Sequence, residues 1–231
     1  MSELPTPRRK ISPGCMMFAF GSLWLLLLGC YMLWKLYAQV KEMRTYTDTA
    51  AKLVSPAQPK EEEIAAVRTR INAFGAAVGR KEKTELRLTA DDLNILLAAE
   101  DSLRSMRENA KVESIGESVK VQWSQMMNTV PFSDEKLFLN GILEIAPVME
   151  KDKGFKIRTV NVTVPGKSVT QGFLNLYKEN NPPDRLLLDP IRDSKDAAIS
   201  DTLKAITNAR LEGGAVILEY SPGAAAPAKK E

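Results

Sequence analysis

The sequence predicts an α+β protein: one N-terminal transmembrane helix, then a mainly antiparallel twisted sheet of about five strands packed with three to four helices. Three observations predict it. Twenty residues from Cys15 to Trp34 carry no charge, apolar residues recur at helical spacing over 61–80 and beyond 168, and between about Lys111 and Gly166 the apolar period drops to two. At 231 residues, 44% hydrophobic and 26% charged, the chain has the size and composition of one globular domain plus an anchor.

The uncharged segment comes first. At about 1.5 Å per residue, twenty helical residues span a hydrocarbon core of about 30 Å. Arg8, Arg9 and Lys10 precede it and Lys35 follows, while Tyr31, Trp34 and Tyr37 cluster where an interfacial aromatic belt belongs. A cleaved signal peptide would have a shorter apolar core and a small-x-small cleavage site, which Lys35-Leu36-Tyr37-Ala38 does not provide. Leu27-Leu28-Gly29-Cys30 has the form of a lipoprotein box, but Tyr31, Met32, Leu33 and Trp34 follow it in place of a polar tether. Arg8-Arg9 has the look of a twin-arginine signal with a poor continuation in Lys10-Ile11-Ser12-Pro13. Three basic residues before the span face Lys35, Lys41 and Arg44 after it. The compact N-terminal cluster, with the free amine, favours a cytoplasmic N-terminus and an extracytoplasmic domain.

Beyond the span, Leu36, Val40, Met43, Thr47, Ala50 and Val54 continue at alternating spacings of four and three, which predicts a juxtamembrane helix over 35–54. A Pro-containing linker over 55–60 stops it. Within the span, Cys15, Ser22 and Gly29 lie seven apart on one stripe; small residues there let membrane helices pack closely, so this face is a candidate for a parallel homodimer.

The domain is expected over 61–221, between a basic tail at 1–14 and a disordered tail at 222–231. Glu61, Glu62 and Glu63 open an amphipathic helix carrying Ile64, Val67, Ile71, Phe74 and Val78, expected to pack on the domain's own sheet. Glu85-Leu86-Arg87-Leu88 alternates like a short strand. Thr89-Ala90-Asp91-Asp92 then starts a helix with Leu93, Leu96 and Leu97, its carboxylates read as capping groups, not as a metal or acid–base pair. Val119, Val121 and Trp123, then Leu137, Leu139, Leu143 and Ile145, then Val160, Val162 and Val164 mark three to four strands of an antiparallel meander. Phe155 and Ile157 fall out of phase with those valines, which suggests a bulge or a strand apolar on both faces. Ser168-Val169-Thr170-Gln171 has capping-box form, with Val169, Phe173, Leu176 and Tyr177 expected on the helix that follows, and Asn180-Asn181-Pro182-Pro183 ends that helix. Asp189-Pro190 begins another, with Ile199, Leu203 and Ile206 as its apolar face. A last strand, roughly Arg210 to Tyr220, contains Gly213-Gly214 as an expected bulge.

Composition argues against most chemistry. Of the net charge of +3, Arg8, Arg9 and Lys10 against Glu3 supply two, so the body lacks the basic face of a nucleic-acid binder. The two cysteines, Cys15 and Cys30, both lie in the apolar segment, and there is no histidine. The commonest general base and metal ligand are missing with it, and no phosphate-cradling loop or zinc spacing is present. No cofactor and no catalytic residue is assigned. Asn161-Val162-Thr163 matches a glycosylation acceptor, but inside a strand.

The element order, with Leu88-Thr89-Ala90-Asp91-Asp92-Leu93-Asn94, Leu137-Phe138-Leu139-Asn140-Gly141 and Leu211-Glu212-Gly213-Gly214-Ala215-Val216-Ile217, resembles a group of bacterial membrane-anchored envelope proteins that are YpmS-like in style. The resemblance implies an envelope location and an α+β fold, and no functional residues. The resulting expectation is a non-enzymatic binding or scaffold module beside the bilayer. Trp123, Phe138, Phe173 and Tyr177 are the candidate apolar groove for a lipid; the alternative is an assembly subunit that binds an envelope protein and self-associates through its membrane helix.

Overall fold

The computed structural model describes residues 13–54, 58–127, 135–150, 154–193 and 197–223. The basic cluster Arg8, Arg9 and Lys10, residues 55–57 of the linker and the tail from 224 lie outside the described residues. The chain forms two compact units, Met1–Arg44 and Thr45–Glu231.

Helix α1, Pro13–Tyr46, supplies the first unit. Among the described residues it is the one helix long and apolar enough to cross a membrane, over Phe20–Tyr46. Its apolar side chains are exposed around the whole circumference, Trp24 at 73% and Leu25 at 72%.

Within the second unit the chain does not continue as a helix to residue 54. After Tyr46, residues 47–54 are irregular and pair with the sheet: Asp48 and Phe138 exchange backbone hydrogen bonds of 2.9 and 2.8 Å, and the Val54 N–H donates to the Glu108 carbonyl at 2.9 Å. The periodicity misleads here because Thr45, Thr47 and Thr49 are poor helix formers, while partners distant in sequence hold each turn of the chain. Lys52 N–H donates to Asn140 at 2.9 Å.

Helix α2, Glu61–Gly79, buries Val67, Phe74 and Ala77 and packs on strand β1, Thr84–Thr89. Helix α3, Ala90–Ala99, starts at a reciprocal cap: the Thr89 hydroxyl accepts from Asp92 N–H at 3.2 Å and the Asp92 carboxylate accepts from Thr89 N–H at 2.9 Å. Arg70 of α2 pairs with the same carboxylate. Burial pushes the Asp92 carboxyl up, but these hydrogen bonds and the Arg70 charge hold it below the usual carboxylate range. A 3₁₀ turn, Asp101–Met106, follows.

Four strands then form an antiparallel meander in sequence order: β2 Ala110–Ile115, β3 Val119–Met126, β4 Phe138–Glu150 and β5 Gly154–Thr163. The expected bulge is present. Glu144 pairs with Asn161 and Ile145 with Thr159, so Val160 is the extra residue; it points outward at 39% exposure, and Phe155 and Thr159 on one side and Val162 on the other are all buried.

Helix α4, Gln171–Asn180, is capped by Thr170, which accepts from Phe173 N–H at 3.3 Å. The cap is thus two residues later than the Ser168 expectation, and Leu176 is exposed at 46%. A π turn, Asp184–Leu188, runs into the short helix α5, Asp189–Arg192, and α6 covers Ala197–Ala205. The single helix expected from Asp189 is therefore two. Nor is the last strand single. Gly213 and Gly214, at φ +55° and +73°, form the two-residue turn between β6, Asn208–Glu212, and β7, Ala215–Tyr220, with Glu212 opposite Ala215. Two successive positive φ values match the twist of a hairpin and favour glycine at both positions. Strand β1 pairs with β7, giving a second antiparallel sheet in the order β1-β7-β6. The one sheet of about five strands is in fact two sheets of three and four. Long-range pairing of Thr84–Thr89 with the chain's last strand leaves no trace in local periodicity.

Candidate functional site: an apolar cavity between the sheets

The inward faces of the two sheets do not close on each other completely. Leu88, Val216 and Leu218 from the three-stranded sheet face Val112, Val121 and Ile145 from the four-stranded one across a cavity of about 220 Å³. Leucines of α3, the π turn, Ile191 of α5 and Leu203 of α6 complete the wall. All twenty lining residues are apolar. Period-two patterning puts β-branched residues on the inward side of each strand, and the Val160 bulge shifts β5 so that Phe155 and Ile157 also face in.

The wall made by Pro182–Arg192 is attached differently from the rest. Helix α4 ends at Asn181 in the left-handed conformation, φ +39°. Its side chain donates to the Ile157 carbonyl at 2.6 Å and accepts from the Thr159 N–H at 3.3 Å. Asp184 accepts the Ile157 N–H at 2.8 Å and the Arg192 guanidinium at 3.0 Å. Arg192 also donates to the Phe155 carbonyl at 2.7 Å and to Asp189 at 2.9 Å. Side chains thus take the place of a neighbouring strand along the outer edge of β5. Burial pushes the Asp184 carboxyl up; the Arg192 hydrogen bond, the Ile157 N–H and the charges of Arg192 and Lys156 outweigh it and hold it below the usual carboxylate range.

The other edge of the four-stranded sheet is closed in the same way. The Asn94 side chain accepts the Val112 N–H at 2.8 Å and donates to the Val112 carbonyl at 2.9 Å. This amide stands where a further strand would pair.

The residues singled out from the sequence lie elsewhere. Trp123, Phe173 and Tyr177 are buried together: Tyr46 and Phe173 rings stand 4.8 Å apart, Phe173 and Tyr177 6.1 Å apart. Trp123 and Tyr177 both donate to Gln125 Oε1, at 3.0 and 2.8 Å, and burial pushes the Tyr177 hydroxyl far up. Phe138, half-buried at the start of β4, is held through its backbone to Asp48. None of the four lines the cavity. On α1, Ser22 and Gly29 are exposed, and Cys15 lies in its first turn. Among the described residues no group of His, Cys, Asp or Glu is placed to hold a metal ion. The cavity itself was not legible as a site because each lining residue, taken singly, is an ordinary core residue. The signal for its wall was the polar run Asn180-Asn181 before Pro182-Pro183 and the acid Asp184.

Comparison with known proteins finds no matching family model, no matching curated protein and no matching solved structure.

Proposed function

We propose that the protein is a single-pass, non-enzymatic binding module of the cell envelope, anchored by α1 with its N-terminus in the cytoplasm, which holds an apolar ligand in the cavity between its sheets. The observation that carries the reading is the cavity: about 220 Å³, partly open at the surface and lined by apolar side chains alone. Interiors normally pack with few voids larger than a water molecule, and an apolar cavity of about 150 Å³ stays dry and takes up benzene. The anchor supports the reading. A helix apolar on every side belongs inside a core or a bilayer, and each large side chain on α1 left in water would forgo about 1.5–3 kcal/mol of burial.

The test is native mass spectrometry of residues 45–231, exported without the anchor, followed by solvent extraction. A co-purified apolar molecule in near-stoichiometric amount supports the reading. A ligand-free compact monomer that also takes up no added lipid refutes it. Separately, the full chain should stay with membranes through alkaline carbonate extraction.

A further inference from the structure

On the reading that the domain holds an apolar ligand, two features of the cavity narrow the ligand's class. The space of about 220 Å³ falls below the ~300–1,000 Å³ of sites that enclose a drug-sized molecule, so a whole two-chain lipid does not fit. Its lining offers no side-chain hydrogen-bonding group, and an amide or hydroxyl taken inside without a partner would cost roughly 2–7 kcal/mol. The enclosed part of the ligand is therefore slender and wholly hydrocarbon. The polar part stays outside.

One wall is built to move. Strands β1 to β7 are held by backbone ladders, whereas Pro182–Arg192 is held to β5 by the side chains of Asn181, Asp184 and Arg192. It begins at a left-handed residue and two prolines, which lack N–H donors, and continues as a π turn. Such turns inside helices are frequent at functional sites, and segments without ladder pairing open at lower free energy than strands. Leu187 and Ile191 on this segment are half-buried and face the cavity. Around it Lys156 and Arg192 balance Asp184 and Asp189, so the charges there favour neither sign of head group.

We propose that the cavity takes the terminal stretch of one aliphatic chain, its head group outside, admitted when Pro182–Arg192 swings off β5, with the bonds from Asp184 to Ile157 and from Arg192 to Phe155 as the latch. The chain is that of a membrane lipid or a free fatty acid.

The full chain in phosphatidylcholine nanodiscs is exposed to palmitic acid carrying a diazirine at its chain end, irradiated, and mapped by peptide mass spectrometry. Labels are expected on the α3 and β3 peptides that carry Leu97 and Val121. Ala110→Phe and Val216→Phe, which fill the cavity, should each cut that labelling about tenfold, equivalent to ~1.4 kcal/mol of binding. Leu203→Phe, at a half-buried wall position, repeats the test if both unfold. Asp184→Asn should speed the labelling. Labels confined to α1 would overturn both this inference and the proposed function. Labels in the domain around Trp123 and Phe173 would leave the function standing and overturn the cavity as the site. Uptake of benzene without labelling by the fatty acid would overturn the aliphatic chain, and an unchanged rate in Asp184→Asn would overturn the latch. Competition by added phospholipid or by unlabelled palmitate distinguishes the two sources of the chain.

Discussion

Single residues carry much of this architecture, and two of them sit next to each other on β4. Asn140 is buried and uses all four of its hydrogen-bonding positions: it accepts from Ser124 Oγ at 2.7 Å and Lys52 N–H at 2.9 Å, and donates to Asp48 and to the Ala50 carbonyl, both at 2.9 Å. The Asn140 bond comes first among the causes that hold the Asp48 carboxyl below its usual range, with Lys167 and Lys52 adding to it against burial. Beside it, Gly141 has no room for a side chain, since a Cβ would stand 2.3 Å from the Thr163 carbonyl oxygen. The obstacle is backbone of the paired strand and cannot rotate away. Gly141→Ala should therefore cost about 3 kcal/mol, the upper end of the overpacking range, read as a lower urea midpoint at unchanged m-value. Asp184 contributes to acid behaviour. Its folded pKa is depressed, so its stabilising contribution is complete above the unfolded Asp value of about 3.9 and is lost as pH falls through the lower folded value. Below that value the folded state binds the proton as the unfolded state does. Asp184→Asn should be less stable than the parent by about 3 kcal/mol at neutral pH, as for breaking a buried pair. The difference should shrink below about pH 4, measured by urea unfolding across pH. A constant difference would refute the assignment.

At the scale of elements, legibility followed the range of the interactions. The capping of α3, the amphipathic stripe of α2 and the strands β3, β4 and β5 of the meander are set by residues within a few positions of each other and are legible locally, whereas β2, Ala110–Ile115, carries no named run. The Val160 bulge was visible as a phase error between Ile157 and Val162. The second sheet was not visible, because β1 finds its partner β7 more than a hundred residues later, and Gly213-Gly214 reads locally as a bulge as readily as a turn. The candidate groove was chosen by aromatic size, and Trp123, Phe173 and Tyr177 do meet, around Gln125. The cavity was missed because a void is a property of how two sheets fail to meet, which no single strand encodes. Edge closure is the other element-level device. An unpaired strand edge templates aggregation, and Asn94 on β2 acts against this as Asn181, Asp184 and Arg192 do on β5. Asn94→Ala would leave the Val112 N–H and carbonyl without their partner. It should cost about 1–3 kcal/mol and raise light scattering on warming, and Asn94→Asp, which sets a carboxylate oxygen against the Val112 carbonyl, should not rescue it.

For the whole molecule, the informative boundary is where the anchor ends and the folded unit begins. Sequence punctuation put the domain's start at 61, after the prolines, and made 35–54 a helical stalk. In the structure the second unit begins at Thr45, and residues 45–54 are part of its packing. Tyr46 and Val54 are buried; the Tyr46 ring packs at a tilt against Phe173 and its hydroxyl accepts the Thr170 N–H at 3.2 Å. Lys167 donates to the Thr47 carbonyl at 3.2 Å. Deleting this segment would uncover the Asn140 amide, the Phe173 ring and the start of β4 together. Two buried apolar side chains are worth about 3–6 kcal/mol by area alone, and a domain of this size shifts by roughly 2–4 °C per kcal/mol. A chain begun at 61 should then melt about 6–24 °C below one begun at 45, with Phe173 and Tyr177 losing their near-ultraviolet circular dichroism first. Equal melting temperatures would mean that 45–54 lies on the domain without stabilising it. The expected difference means instead that the residue at which the chain leaves α1 is part of the core.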